Sequence, residues 1–423
     1  MRQAIIGMFA LAAVSFAQTE YHVYAGSSHA HTAYTWSHGE HLAKSECSGI
    51  LVFGQNPTSP LAWAWSGGYV KSKTGCYGIY VINGAQIPSP DMKVKPDWEE
   101  YQGPPAKHYS LAKASGYDFY VTSDHSQDIA FQPPSATNPA WMASKKEAEE
   151  ASDGSFVALA GYEHSENDGP GATGHLNVIN SAGMMNALAP GVDLQKFYKW
   201  LGTAQANGSG PVVGTFNHPG PEQYGNWEYR DARVTDIITM LEVINSNNKI
   251  HYQAFVNALD KGWKVAPVCG NDNHGLTGIK RNTSRTCVLA TARTKNAILD
   301  AMQHRRTYAT LQRNLECRYT VNGVIMGSTL QRPTVLHFDI AVSSPDTGST
   351  KDKITKIDIV KDHGVVAQEY TAEPGYSVHW APAIEDSTSR YFFVRVWTAG
   401  GGDAPGADPG KPVAWLAPVW TGR

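Results

Sequence analysis

The sequence predicts an α/β protein, a parallel α/β sheet or barrel followed by an all-β sandwich. Three observations carry this. Strand-like and helix-like segments alternate from about residue 18 to 314, which argues for a largely parallel sheet with crossover helices. From about 315 to 423 the apolar pattern changes to period two, with turn clusters between the runs and no good helix. Hydrophobic residues make up 42% of the 423 and charged residues 17%, enough to build a core and too apolar for a disordered chain.

The elements follow in order. Residues 1–17 read as a secretory signal peptide: Arg2 gives a positive start, Ala4 to Phe16 a short apolar run, and Ser15-Phe16-Ala17 a small-x-small cleavage site. Cleavage after Ala17 leaves Gln18 first and implies a secreted or periplasmic protein. No later run reaches membrane-spanning length. Strands are expected at Tyr117–Thr122, Phe156–Ala160, Val212–Phe216, Ile237–Ile244, Val265–Cys269 and Val288–Ala290. Helices are expected at Trp141–Ala151, Leu194–Leu201, Ile250–Lys261 and Lys295–His304. The stretch from about 43 to 105 is rich in Gly, Pro, Trp and Tyr and reads as an irregular insertion or long loop. Val335–Val342, Ile354–Val360 and Tyr391–Trp397 alternate as sandwich strands do.

Charge and cysteine usage exclude some function classes. Lys and Arg total 35 against 38 Asp and Glu, a net charge of −3, so general nucleic-acid binding is not expected. The cysteines are Cys47, Cys76, Cys269, Cys287 and Cys317, an odd number that leaves at least one thiol free. Cys47 and Cys76 share one Gly/Trp-rich stretch and are the expected pair, whereas Cys269 and Cys287 sit in strand-like runs as small hydrophobes. Asn207 and Asn282 begin N-x-[ST] sequons.

Histidine is the informative residue type, with sixteen in the chain and most of them before residue 275. His29 and His31, two apart at a strand end, point the same way, as chelation requires. His38 and His41 follow in a loop. Asp124 and His125 end one strand-like run, Glu163 lies just past another, and His175 begins a third. His218 precedes a Pro-Gly turn, and Asp272-x-His274 closes the series. Each residue alone has an ordinary surface or capping reading. Together they place His, Asp or Glu at one strand end after another, and bound metal is the simplest compensation for that convergence. Nitrogen and oxygen donors without Cys suit two or three Zn, Mn or Fe ions.

These residues resemble the polymerase-and-histidinol-phosphatase (PHP) metallohydrolases. The resemblance rests on His29-x-His31-Thr32, Ser37-His38-Gly39, Thr122-Ser123-Asp124-His125, Gly161-Tyr162-Glu163, Gly174-His175, Asn217-His218-Pro219 and Asp272-x-His274. Downstream text (LEVINS, LDKGWKVAPVCGNDNH, FFVRVW and AWLAPVW) is similar to an exported, carbaryl-hydrolase-like branch. Two positions depart from the family pattern: Ser27-Ser28 stands where Asp-Leu is usual, and His38 where a loop Asp is common.

The resemblance implies a distorted seven-stranded β/α barrel over residues 18–314 and a trinuclear metal site. His29, His31, Glu163 and Asp272 would hold one metal. Glu163 would bridge to a second with His175 and His218, and His38, His125 and His274 would hold the third. Asp124 would stand behind these ligands. The implied reaction is hydrolysis by a metal-bridging hydroxide, of a small-molecule phosphate ester first. Carboxyl or carbamate ester hydrolysis is the alternative, motivated by Trp63, Trp65 and Tyr69 of the insertion. An exported metal- or glycan-binding protein without turnover is a further one. His251 and Tyr162 lie near the motifs, and the sequence does not decide between them as an acid.

Overall fold

A computed structural model of the chain describes residues 19–35, 50–54, 67–71, 79–82, 85–88, 101–165, 173–204, 210–220 and 222–423. The proposed leader, the Cys47–Cys76 pair, His38, His41 and the sequon at Asn207 lie outside the described residues.

Seven strands lead to the candidate site: β1 (His22–Ser27), β2 (Phe119–His125), β3 (Val157–Ser165), β4 (His175–Ile179), β5 (Val213–Asn217), β6 (Ile238–Asn245) and β7 (Ala266–Cys269). Each except β7 hydrogen-bonds to the next in sequence, and β7 pairs with β6. Strands β2, β3 and β6 are buried along their whole length, as runs covered on both faces must be. Gly26 in β1 is required by close approach, because a Cβ there would meet the Phe119 carbonyl oxygen at 2.3 Å.

Helices cover these strands with ordinary local signals. Helix Pro139–Ala151 starts with proline in its first turn, and the Asn138 side chain caps it by accepting from Trp141 N at 3.0 Å. Thr294 caps Lys295–Gln303 in the same way. Helix Leu194–Ala204 turns Leu194, Phe197, Tyr198 and Leu201 inward, the spacing of one helical face.

The expected parallel direction does not hold throughout. β1–β2, β2–β3, β5–β6 and β6–β7 are parallel, whereas β3–β4 and β4–β5 are antiparallel. Only nine residues separate β3 from β4, too few for a crossover helix, and the two strands pair antiparallel. The insertion is not wholly irregular. It contains two antiparallel pairs, Ile50–Gly54 with Gly67–Lys71 and Ile79–Ile82 with Ala85–Pro88.

Residue 314 is not a break in the sheet. β8 (Arg285–Ala290) pairs with β1, and β9 (Thr307–Thr310) pairs with β8. β10 (Glu316–Val321) and β11 (Val335–Ser343) form a second, five-stranded sheet with three shorter partners. β12 (Ile354–Lys361), β13 (Tyr391–Thr398) and β14 (Ala414–Leu416) instead extend the first sheet, because β14 pairs with β9 and with β13. β10 and β11 alternate buried and exposed, the predicted period. β13 is buried on both faces, since one face meets the second sheet and Phe393 on the other meets Phe255 of helix Tyr252–Asp260, ring centres 5.4 Å apart. The C-terminal strands are therefore joined to the rest by both backbone pairing and core packing. Cys269, Cys287 and Cys317 are buried free thiols, and burial pushes the Cys269 and Cys287 thiols up to about 12.

Candidate metal centre

The strands bring eight of the nine sequence-predicted donors to one place. The ninth, His38, lies outside the described residues. His29 and His31 continue β1, and the Ala30–Asn273 bridge between them sets both rings on one side. Their Nε2 atoms approach to 3.0 Å. His125 ends β2. Glu163 lies within β3, and the neighbouring His164 points to the opposite face, stacked on Phe197 at 3.7 Å. His175 reaches the same place from the start of its strand because β4 runs antiparallel, pairing His175 with Ser165 and Asn217. His218 follows β5. Asp272 and His274 follow β7, whose continuation returns to that of β1 through Asp272 N to His29 O (2.9 Å) and His31 N to Asn273 O (3.0 Å).

Glu163 is the meeting point and is buried. Its Oε1 lies 3.4 Å from His29 Nε2, 3.3 Å from His175 Nδ1 and 3.5 Å from His218 Nε2. Its Oε2 lies 3.0 Å from His125 Nε2 and 3.6 Å from His31 Nε2. Asn217 Nδ2 and Ser165 Oγ donate to the same carboxylate at 2.7 and 2.9 Å. Asp272 Oδ1 closes the group at 3.1 Å from His31 Nε2 and 3.6 Å from His29 Nε2.

These separations test whether the residues suit a metal. Ligands about 2.1 Å from one tetrahedral ion stand about 3.4 Å from each other. Among these, His29 and His31 stand 3.0 Å apart, and each lies 3.1 to 3.6 Å from Glu163 and from Asp272. Several are too long for hydrogen bonds and right for ligand edges. Three sets of donor atoms each lie within 4.8 Å of one another: His29, His31, Glu163; Glu163, His175, His218; and His31, His125, His274. The donor set is nitrogen and oxygen, and the buried His/Glu groups are compatible with divalent metals. His31 thus stands with His125 and His274 as well as with His29, a sharing the sequence did not suggest.

The charge pattern follows from burial and neighbours. Burial works against a charged His29, but Glu163, Glu242 and Asp272 around it outweigh that and hold its pKa well above the ordinary value. His31 is brought down to about 3 by burial and by the adjacent His125. Glu163 and Asp272 are held well below the carboxylate range, against burial, chiefly by His29.

Among the described residues, the Asp124 side chain hydrogen-bonds to the loop after His31 and not to these donors. It accepts from Thr32 N (2.6 Å), Thr32 Oγ1 (2.8 Å) and Thr35 Oγ1 (2.8 Å), and so fixes the loop after His31. Burial raises it to about 6 in spite of those bonds.

Two acidic residues escaped the sequence reading. Glu242 is fully buried in β6, and Asp128, also buried, lies 3.7 Å from His125 Nδ1. A signal for Glu242 existed: a lone carboxylate inside the apolar run Ile238–Ile244 must be paired. A cleft of about 580 Å³ opens on the centre, lined by His175, His218, Asp272 and His274 and walled by Gln223, Asn245, Asn247, Lys249 and His251.

No family model matches the chain. No curated relative matches it. Among solved structures it is similar to a two-domain protein containing a predicted PHP-like metal-dependent phosphoesterase from Bacteroides vulgatus ATCC 8482. The two are 13% identical with a TM-score of 0.43, and the match covers 94% of this chain and 95% of that one.

Proposed function

We propose that this protein is an exported metal-dependent hydrolase of the PHP type that acts on small-molecule esters, phosphate esters first. One observation carries the reading: five of the His-to-carboxylate separations around Glu163 and Asp272 run from 3.3 to 3.6 Å, longer than ordinary hydrogen bonds and near the spacing of ligands on a shared ion. His29, His31, Glu163 and Asp272 would hold one ion. Glu163, His175 and His218 would hold a second, and His125 and His274, with His31 or His38, a third. Bound there, divalent ions supply Lewis acidity and lower the pKa of coordinated water.

The chain itself does the rest. Asp124 and Asp128 orient the ligand-bearing segments, and the buried walls exclude bulk water from one side. Exposed Lys249 gives the cleft a cation, and Gln223, Asn245 and Asn247 line it with amides, which favours an anionic ester over a neutral one. We further propose that β1 to β7 act as the distorted barrel of residues 18–314, a reading supported by the return of β7 to β1, with 315–423 as a sandwich packed against it. Export rests on residues 1–17, and the mass of the secreted chain tests it by placing its first residue at Gln18.

The deciding experiment uses protein loaded with Zn or Mn on chromogenic phosphomonoesters, phosphodiesters, aryl esters and aryl carbamates, with His31→Ala and chelator-treated protein as controls. Phosphate-ester turnover lost in both controls supports the proposal. Equal turnover with and without metal overturns it.

A further inference from the structure

The residue that ties the centre together is one the donor motifs do not contain. Glu242 lies within β6, fully buried, with both carboxylate oxygens engaged. Its Oε1 accepts from His29 Nδ1 at 2.8 Å. That bond leaves Nε2 as the atom facing Glu163 and Asp272 and sets the plane of the ring. Its Oε2 accepts from the His218 backbone N–H at 2.7 Å and from Asn245 Nδ2 at 2.8 Å.

The backbone contact matters because His218 adopts φ +29°, a left-handed conformation costing about 1 kcal/mol or more unless its surroundings fix it. The Glu242 oxygen holds that residue's amide where its ring meets Glu163. A single carboxylate thereby fixes the ring of one donor group and the backbone of another. The packing is arranged around it. Gly270 passes so close that an added Cβ would stand 1.8 Å from Glu242 Oε1 and 3.0 Å from His29 Cβ, so no larger residue leaves the carboxylate where it is. Asn245, which donates to Glu242, also accepts from Ser246 Oγ, and Ser246 lies 3.3 Å from Asp272 Oδ2. The network thus reaches a third donor.

We infer that Glu242 is a positioning residue that couples the His29 and His218 donor groups, so that both hold metal through it although it ligates none. The inference rests on the metal reading above. Glu242→Gln is the sharp variant: it keeps the shape and one acceptor but cannot accept at both oxygens. Asn245→Ala is the milder one, removing one donor to Glu242 at the wall of the cleft.

Zinc affinity of the full chain is measured by competition with a chromogenic chelator. Metal content after dialysis, circular dichroism and the urea midpoint of the metal-free protein are measured in parallel. Glu242→Gln is expected to bind zinc about 10- to 100-fold more weakly while its metal-free fold is kept, and Asn245→Ala a few-fold more weakly. Wild-type affinity in a folded Glu242→Gln overturns the inference. If that variant does not fold, wild-type affinity in Asn245→Ala overturns it. Wild-type protein that retains no zinc overturns the metal reading itself, a result distinguishable from either.

Discussion

Glu163→Gln tests the proposed centre most directly, because the proposal says how many metal groups the change should remove. Two of the three donor sets contain Glu163, and the third, His31, His125 and His274, does not. The amide keeps the volume of the carboxylate, with its oxygen placed to accept from Asn217 Nδ2 and its NH2 to donate to Ser165 Oγ, so the backbone of β3 has little reason to move. What is lost is the charge and the second ligating oxygen. The metal content is therefore expected to fall by two of the three proposed ions, leaving the imidazole set. At free metal about 1,000-fold above Kd, each vacated site removes about 4 kcal/mol of linked stability, hence about 8 kcal/mol for two. Elemental analysis after equilibration in a metal buffer gives the stoichiometry, and urea unfolding with and without metal gives the linked stability. A variant that keeps its full complement would refute the bridging role of Glu163. One that also empties the His31, His125, His274 set would refute the independence of that set.

Asp124→Ala leaves three buried donors from Thr32 and Thr35 without their acceptor, at about 1–3 kcal/mol each. It should destabilise the protein by at least about 3 kcal/mol in urea unfolding, and a loss below about 1 kcal/mol would show that the loop does not depend on it. Metal uptake should release protons and tighten as pH rises. The raised pKa of His29 in the metal-free fold means its proton stabilises that fold fully below its ordinary value of 6.5 and is lost as pH climbs through the folded value. Calorimetric titration in two buffers of different ionisation heat reads this, and identical heats in both would contradict it. Phe393→Ala opens a cavity against Phe255 and should cost about 3–5 kcal/mol. Because β14 pairs with β9, the loss should lower one cooperative transition, and a separate early transition of residues 315–423 would sink that expectation.

What was legible in the sequence is what depends on local pattern. The strands around Tyr120, Leu159, Phe216, Leu241 and Val268 were visible as apolar runs between turn residues, and the helix at Leu194 as an apolar face. The donors were legible because His and Asp at strand ends are poorly explained by packing. Strand direction was not, since an apolar run reads the same both ways, and β4 proved antiparallel for want of chain to cross over.

The sequence alone determined the donor chemistry, because residue type and spacing settle which atoms are nitrogen, oxygen or sulfur and which side of a strand they occupy. Only the tertiary structure decided the sharing of those atoms. It set Glu163 in two donor groups, gave His31 to one of these and to a third, and brought Glu242 from the middle of an apolar strand to His29, 213 residues away in sequence. It also joined the C-terminal strands to the first sheet through β9 and β14. Each of these is a contact between segments far apart in the chain, set by register and sheet order, and no local pattern encodes it.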